Sequence, residues 1–295
     1  MDKCKSLIII GLLYMCKFIP DKPAISLGIA LGNLLQKAIG FRKKIIYKNI
    51  DRVYPHWSLE EKRTFIKKVY RHFGLLLVEL CRMPFMDNKK FKKLFIYHGL
   101  EHLNAALSHK KGVMIMTGHL GNWEYGAAAM ALAGYDVRLV AKKMRNVDNT
   151  MLYGLLRARK SVRWIGKKKA MYGIFRALKS NACVGFVMDQ HTSRTEGVVI
   201  DFLGHRARAY AGLYTIARRK SVPVVPVYSW RDDNMRHHHI KVLPAVELCH
   251  EHGGSEERLL YNTQKFMDLF EKMMMTHPDQ WIWMHRRWKI PGNHM

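Results

Sequence analysis

His119 and Glu124, in the stretch Thr117-Gly118-His119-Leu120-Gly121-Asn122-Trp123-Glu124, are the residues whose types and spacing point most directly to chemistry. An imidazole and a carboxylate at a fixed short spacing can form a general base and its orienter. Two residues five apart on one helix point roughly 140° away from each other, so a continuous helix would not bring them together. The pair works if His119 lies in a loop and Glu124 in the first turn of a helix, with Asn122 as N-cap. A carboxylate at that position also suits the helix dipole. Glu124 could then accept from one ring nitrogen, leaving the other to take a proton from a hydroxyl. Alone, the pattern reads more readily as a loop histidine beside a helix-start glutamate.

The elements around the pair place it at a sheet edge. Gly112 to Thr117 (GVMIMT) reads as a buried strand, and Trp123 to Leu132 (WEYGAAAMAL) as a helix. His119 is thereby predicted at a strand's carboxyl end, where open α/β sheets bind ligands. The alternation continues along the chain. Strands are predicted at Leu94 to Tyr97, Val137 to Ala141, Val162 to Ile165, Ala182 to Met188 and Val222 to Val227. Helices are predicted at Glu101 to Leu107, Asp148 to Arg159, Ala170 to Lys179 and Tyr210 to Arg218. Ser58 and Glu61 have capping-box spacing, opening a helix that runs towards Glu79 with Phe65, Val69, Phe73 and Leu76 on one stripe. The βαβ rhythm predicts an α/β fold with a mixed, largely parallel sheet and helices on both faces. Asp189 and Gln190 follow a second strand end, where they could orient an acceptor or brace the His119 loop.

The net charge is +27 over 295 residues, with basic clusters at Arg42-Lys43-Lys44, Lys89-Lys90, Lys142-Lys143, Lys167-Lys168-Lys169 and Arg218-Arg219-Lys220. Such a field attracts polyanions: nucleic acid, anionic lipid or an acidic protein. There is no aromatic-basic RNA-recognition motif, and the apolar amino terminus argues against nucleic acid. A non-catalytic basic membrane- or nucleic-acid-binding protein is the reading from a different class. Ser6 to Cys16 (SLIIIGLLYMC) and Ala24 to Ile39 are apolar, are separated by Pro20-Asp21-Lys22-Pro23, and are each too short to span alone. No A-x-A-like cleavage site follows, which argues against a cleaved signal peptide. Residues 1–40 are therefore expected to form an apolar helical membrane anchor, as a tilted span or an interfacial segment, with the alternative of two buried core helices. Arg42-Lys43-Lys44 just beyond it favour the cytoplasmic side.

Five scattered cysteines without CxxC spacing suggest reduced thiols. There is no dinucleotide or P-loop glycine motif and no GxSxG nucleophile elbow, and no cofactor is expected. His98-Gly99-Leu100-Glu101-His102 matches a zinc-protease pattern in letters only, because Gly99 after a strand puts His98 outside the helix that pattern requires. His237-His238-His239 are predicted on an exposed edge strand, where neighbours alternate between faces and cannot share one metal. No metal site is expected.

Taken together, TGHLGNWE, Asp189-Gln190, Gly197 to Gly204 (GVVIDFLG), Val222 to Val227 (VPVVPV) and the late Asp279-Gln280-Trp281-Ile282-Trp283-Met284-His285-Arg286-Arg287-Trp288-Lys289 resemble the late, lauroyl/myristoyl acyltransferases of lipid A biosynthesis, within the glycerolipid acyltransferase superfamily. The likeness covers nearly the whole chain, and its HRRWK end is the more specific part. It implies a membrane-bound O-acyltransferase with one catalytic domain over 41–295, at the cytoplasmic side of the inner membrane. The donor would be acyl carrier protein thioester and the acceptor an anionic glycolipid, a lipid A precursor. His119 resembles the general base and Glu124 its partner. Arg159 resembles an arginine near the site, and Asn122, Asp189 and Gln190 join it as candidate substrate contacts. A thioester leaves well, so no covalent enzyme intermediate is needed. The Leu120–Trp123 filling also recurs in relatives that acylate phosphatidylinositol mannosides. Another glycolipid or a lysophospholipid as acceptor, and acyl-CoA as donor, remain the alternatives. Trp281, Trp283 and Trp288 with Arg286 and Arg287 suit either a lipid interface or a packed core.

Overall fold

A computed structural model describes residues 16–141, 160–166, 170–251 and 253–289. The expected Asp148 to Arg159 helix, Arg159 itself, and nearly all of Ser6 to Cys16 lie outside the described residues. Strands β1 (Phe95–His98), β2 (Val113–Thr117), β3 (Val137–Ala141), β4 (Arg163–Gly166), β5 (Cys183–Val187), β8 (Val224–Arg231) and β9 (His238–Val242) form a seven-stranded sheet in the order β1-β9-β8-β2-β5-β3-β4. Every neighbouring pair is parallel except β8–β9. Strands β6 (Gly197–Phe202) and β7 (His205–Tyr210) form a separate antiparallel hairpin.

Both faces of the sheet are covered, which is why the central strands read as continuous apolar runs. Val113, Cys183 and Val225 face one layer, with α5 (Leu100–Ser108) and α6 (Trp123–Leu132) packed on it through Leu103, Ala128 and Ala129. Met114, Met116, Val184 and Val224 face the other. There α7 (Ala170–Lys179), α8 (Gly212–Lys220) and α9 (Ser255–Met275) contribute Ile174, Leu213, Phe266 and Phe270. The predicted α/β class with a largely parallel sheet thus holds. Two features escaped the pattern: the β6–β7 hairpin and the pairing of β9 between β1 and β8. His237–His239 is consequently not an edge strand. His238 is buried in the sheet interior, because β1 arrives from 143 residues earlier to cover β9.

Among the described residues four α-helices precede β1: α1 (Asp21–Leu34), α2 (Lys43–Val53), α3 (Leu59–Arg82) and the short α4 (Asn88–Lys92). The capping box forms as its spacing requires: Ser58 Oγ accepts from the Glu61 N–H at 3.2 Å, and Glu61 Oε2 accepts from the Ser58 N–H at 2.7 Å. Helices α1 and α3 touch backbone to backbone where Gly28 and Gly32 meet Gly74; a Cβ on Gly74 would sit 2.2 Å from the Gly28 carbonyl oxygen. Leu27 and Leu34 of α1, together with Phe18, Ile39 and Phe41, remain exposed. Among the described residues no single helix is long and apolar enough to cross a membrane, although Asp21–Ile39 with Lys43–Val53 would be so as a pair bent by 98°.

The tryptophans of the late stretch belong to the core. Trp281, Trp283 and Trp288 are buried, and their N–H groups donate to Asp189, the Pro278 carbonyl and the Phe202 carbonyl. Arg287 is buried with them, whereas Arg286 is exposed.

Candidate active site

Strands β2 and β5 are paired in parallel with Thr117 opposite Val187. Each chain runs two residues further, so His119 and Asp189 arrive side by side at the sheet's carboxyl edge. His119 Nδ1 lies 2.9 Å from Asp189 Oδ1, and the His119 backbone N–H donates to Asp189 Oδ2 at 2.9 Å. Trp281 Nε1–H donates to the same Oδ2 at 2.8 Å. With Nδ1–H bound to the carboxylate, Nε2 carries the lone pair. The Gln190 side-chain amide lies 3.2 Å from that nitrogen and donates to it. The Trp123 ring packs edge-on against the imidazole, with centroids 4.6 Å apart.

This geometry corrects the expected pairing. The carboxylate that holds His119 is Asp189, 70 residues away, not Glu124. Glu124 does lie in the first turn of α6, is buried, and shares with His119 and Gln190 the wall of one cavity. Asn122 caps α6 as its type predicts, its Oδ1 accepting from the Tyr125 N–H at 3.0 Å. Its Nδ2 donates to Glu79 at 2.8 Å, so the amide expected to meet substrate is turned into the protein at both ends.

Charges around the pair oppose one another. Burial works to lower the His119 pKa, but Asp189, by charge and hydrogen bond, and Glu124, by charge, outweigh it and raise the value above the ordinary 6.5. Burial would raise the Asp189 carboxyl, yet the His119 ring, its N–H and Trp281 hold it down to about 2. His285 was legible only as a letter in HRRWK. It accepts from the His191 N–H at 2.9 Å and is pushed by burial down to about 4, so it stands beside the pair as a neutral ring.

The cavity has a volume of about 710 Å³, within the ordinary range for small-molecule sites. Beyond His119, Glu124 and Gln190 its walls are largely apolar, with Ile115, Ala127, Met130, Leu139 and Val227 among them. Among the described residues no group of three or more His, Cys, Asp or Glu is arranged to hold a metal ion. In the zinc-protease look-alike, His98 ends β1 and His102 stands on α5, with Gly99 between them at φ 75°. His98 instead pairs with His239 at 2.9 Å.

A histidine fixed by a buried carboxylate, at the ligand-binding edge of a largely parallel sheet and over an apolar cavity, defines a class: an α/β protein equipped for acid–base chemistry on an apolar substrate. Comparison with known proteins narrows it. A sequence profile of the family described as bacterial lipid A biosynthesis acyltransferase matches residues 3–290. The chain is 25% identical to the lipid A biosynthesis lauroyltransferase of Escherichia coli (strain K12) over 287 residues, covering 95% of this chain and 90% of that one. It is 25% identical to the lipid A biosynthesis palmitoleoyltransferase of the same organism over 284 residues, covering 95% and 89%. It is also 23% identical to a phosphatidylinositol mannoside acyltransferase of Mycobacterium tuberculosis (strain CDC 1551 / Oshkosh) over 224 residues, covering 73% and 67%. The chain therefore belongs to the bacterial lipid A biosynthesis acyltransferase family, and its enzymatic class is acyl transfer.

Proposed function

We propose that this enzyme transfers a fatty acyl group from an acyl carrier protein thioester to a hydroxyl of a lipid A precursor, at the cytoplasmic face of the inner membrane. The observation that carries this reading is His119, with Nδ1 tied to Asp189 and Nε2 presented where Gln190 and the cavity meet. A substrate hydroxyl would take the place of the Gln190 amide at Nε2. As its oxygen attacks the thioester carbonyl carbon, the hydroxyl proton passes to Nε2. Asp189 and the nearby Glu124 favour the imidazolium that results. Collapse of the tetrahedral intermediate breaks the C–S bond, and the proton on Nε2 leaves with the thiol. The acyl chain would occupy the apolar cavity. The exposed apolar side chains of α1 and its neighbours would rest on the bilayer, and the basic surface would attract both the acidic carrier and the acceptor's phosphates. Arg159 stays a proposed substrate contact on its resemblance alone.

The likeness to phosphatidylinositol mannoside acyltransferases supports a second acceptor, another phosphorylated glycolipid, with the same chemistry. The test is purified enzyme with acyl carrier protein thioester and each acceptor, read by mass spectrometry. The lipid A precursor should gain one acyl chain, and His119→Ala should abolish the gain. A His119→Ala enzyme as fast as wild type would remove the base mechanism. Acylation of the mannoside but not of the precursor would replace the acceptor. Transfer from acyl-CoA at an equal rate would replace the donor.

A further inference from the structure

A second polar cluster lies behind the His119 loop, and its side chains do not line the cavity. It joins α3 to two consecutive strands distant from it in sequence: His72 and Glu79 on α3, Arg231 at the end of β8, and His238 at the start of β9. Arg231 Nη2 and Nε donate to the two Glu79 oxygens at 2.5 and 3.1 Å, and His238 Nε2 lies 3.2 Å from Glu79 Oε1. Arg231 Nη1 lies 3.0 Å from His72 Nδ1. A guanidinium only donates, so His72 Nδ1 accepts and its proton sits on Nε2. That N–H donates to the Gly121 carbonyl at 3.2 Å. Glu79 also receives the Asn122 amide through Oε2 and the Tyr125 hydroxyl through its backbone carbonyl. The Gln280 side chain bonds the Arg231 backbone twice, at 2.8 and 2.9 Å, while the Gln280 backbone carbonyl accepts from the Gly121 N–H at 3.1 Å.

Four of these bonds end on residues 121–125, the return limb of the loop that carries His119: His72 and the Gln280 backbone on Gly121, and Glu79 on Asn122 and Tyr125. The others tie the cluster together. On its other side the loop is held by Asp189, by the Ile282 N–H, which donates to the His119 carbonyl, and by the Ser229 hydroxyl, which donates to the Leu120 carbonyl at 3.4 Å. We infer that His72, Glu79, Arg231 and Gln280 are positioning residues that set the His119 imidazole relative to the substrate without touching it. The cluster suits a rigid clamp. Burial and the adjacent Arg231 push His72 down to about 3, so it stays a neutral ring with one fixed tautomer. Burial would raise the Glu79 carboxyl, but Arg231 and His238 hold it well below the usual range, so it stays an anion. Neither group changes state across the working pH, and the loop geometry does not change with it.

The inference rests on His119 being the base. The experiment uses the full-length enzyme in detergent, with lauroyl-acyl carrier protein and a lipid A precursor, and rates normalised to folded protein. His72→Phe removes both bonds of the ring. A displacement of the reacting group by about 1 Å costs on the order of 100-fold in rate, so kcat should fall about that much while both KM values stay within about twofold. His72→Gln, which keeps one acceptor and one donor, should recover kcat to within about tenfold of wild type. Gln280→Ala leaves the buried charges paired, and it carries the test if His72→Phe does not fold. It should lower kcat by about tenfold, again with KM unchanged. A merely structural cluster would lower the folded fraction and leave kcat per folded molecule alone. The inference is overturned if kcat of the folded variants stays within about twofold of wild type, or if KM rather than kcat moves. His119→Ala separates the two readings: if it retains wild-type rate, the base assignment falls and this inference with it. If it is inactive while the loop variants are unaffected, only the positioning role falls.

Discussion

Asp189→Asn is the substitution whose outcome the site geometry defines most tightly. The carboxylate accepts three N–H groups: His119 Nδ1–H at Oδ1, and the His119 backbone N–H and Trp281 Nε1–H at Oδ2. An asparagine has one acceptor oxygen and one donor nitrogen. If its oxygen stays on the two fixed N–H groups at the Oδ2 position, its NH2 faces Nδ1, which must then become the acceptor. The ring proton moves to Nε2, and the lone pair that would take the hydroxyl proton is lost. If the amide turns the other way, its NH2 abuts two N–H donors in a buried site, each lost bond costing about 1–3 kcal/mol. The first arrangement is favoured, and a wrong-tautomer histidine in a comparable triad lowers kcat about 10⁴-fold. We expect a fall of 10³ to 10⁴, roughly 4–5.5 kcal/mol in the barrier, with KM values nearly unchanged. Steady-state acyl transfer from labelled carrier thioester, followed from pH 5 to 9, is the assay. Losing the anion also lowers the His119 pKa, so any residual activity should have its acidic limb at lower pH. An Asp189→Asn enzyme within about tenfold of wild-type kcat would refute the tautomer argument. So would a Glu124→Gln enzyme that behaves as Asp189→Asn is expected to.

The wild-type rate should rise with pH through a value above 6.5, because the proposed base, His119, must be neutral to take a proton and its pKa is raised; a kcat limb centred below 6.5 would contradict this. The same pairing stabilises the fold fully below 6.5 and is lost as pH climbs through the raised value. For Asp189, lowered to about 2 from 3.8, the contribution is present above pH 4, is worth about 2 kcal/mol and vanishes as pH falls through 2, readable by acid denaturation of the wild type against Asp189→Asn. Gly121→Ala should destabilise the protein by more than about 2 kcal/mol and lower kcat: Gly121 has φ 60°, and a Cβ there would lie 2.3 Å from the Ser229 carbonyl oxygen. Thermal melts alongside the transfer assay check it. Ala127→Phe, on the cavity wall, should shift the preferred thioester to a shorter chain without moving the pH profile, as competition between acyl chain lengths would show.

Much of the fold was readable in advance because its signals are local. Alternating short apolar runs and amphipathic helices, capped by Ser58 and Asn122, specify a largely parallel α/β sheet and put His119 at a strand end. The β6–β7 hairpin and the inner position of β9 were not readable, since strand order depends on which distant edges find each other. The site divides in the same way. His119, the helix start at Glu124 and the family likeness of the HRRWK stretch follow from spacing over a few residues. The partner of His119 does not.

On its own, the amino-acid sequence indicated acyl transfer through its family likeness, and singled out His119 as the proposed base, because residue type and strand-end context are written in adjacent letters. Tertiary structure alone decided that Asp189 rather than Glu124 holds the imidazole. Parallel pairing of β2 with β5 in register carries two strand ends, 70 residues apart, to within 2.9 Å, while α6 commits Asn122 to capping. It likewise decided that Trp281 bonds Asp189 from the core, and that helix α3, through Glu79 and His72, supports the loop from behind. Hydrogen bonds form between groups that packing brings within about 3 Å. For this protein those groups are distant in the chain, and only the folded sheet makes them neighbours.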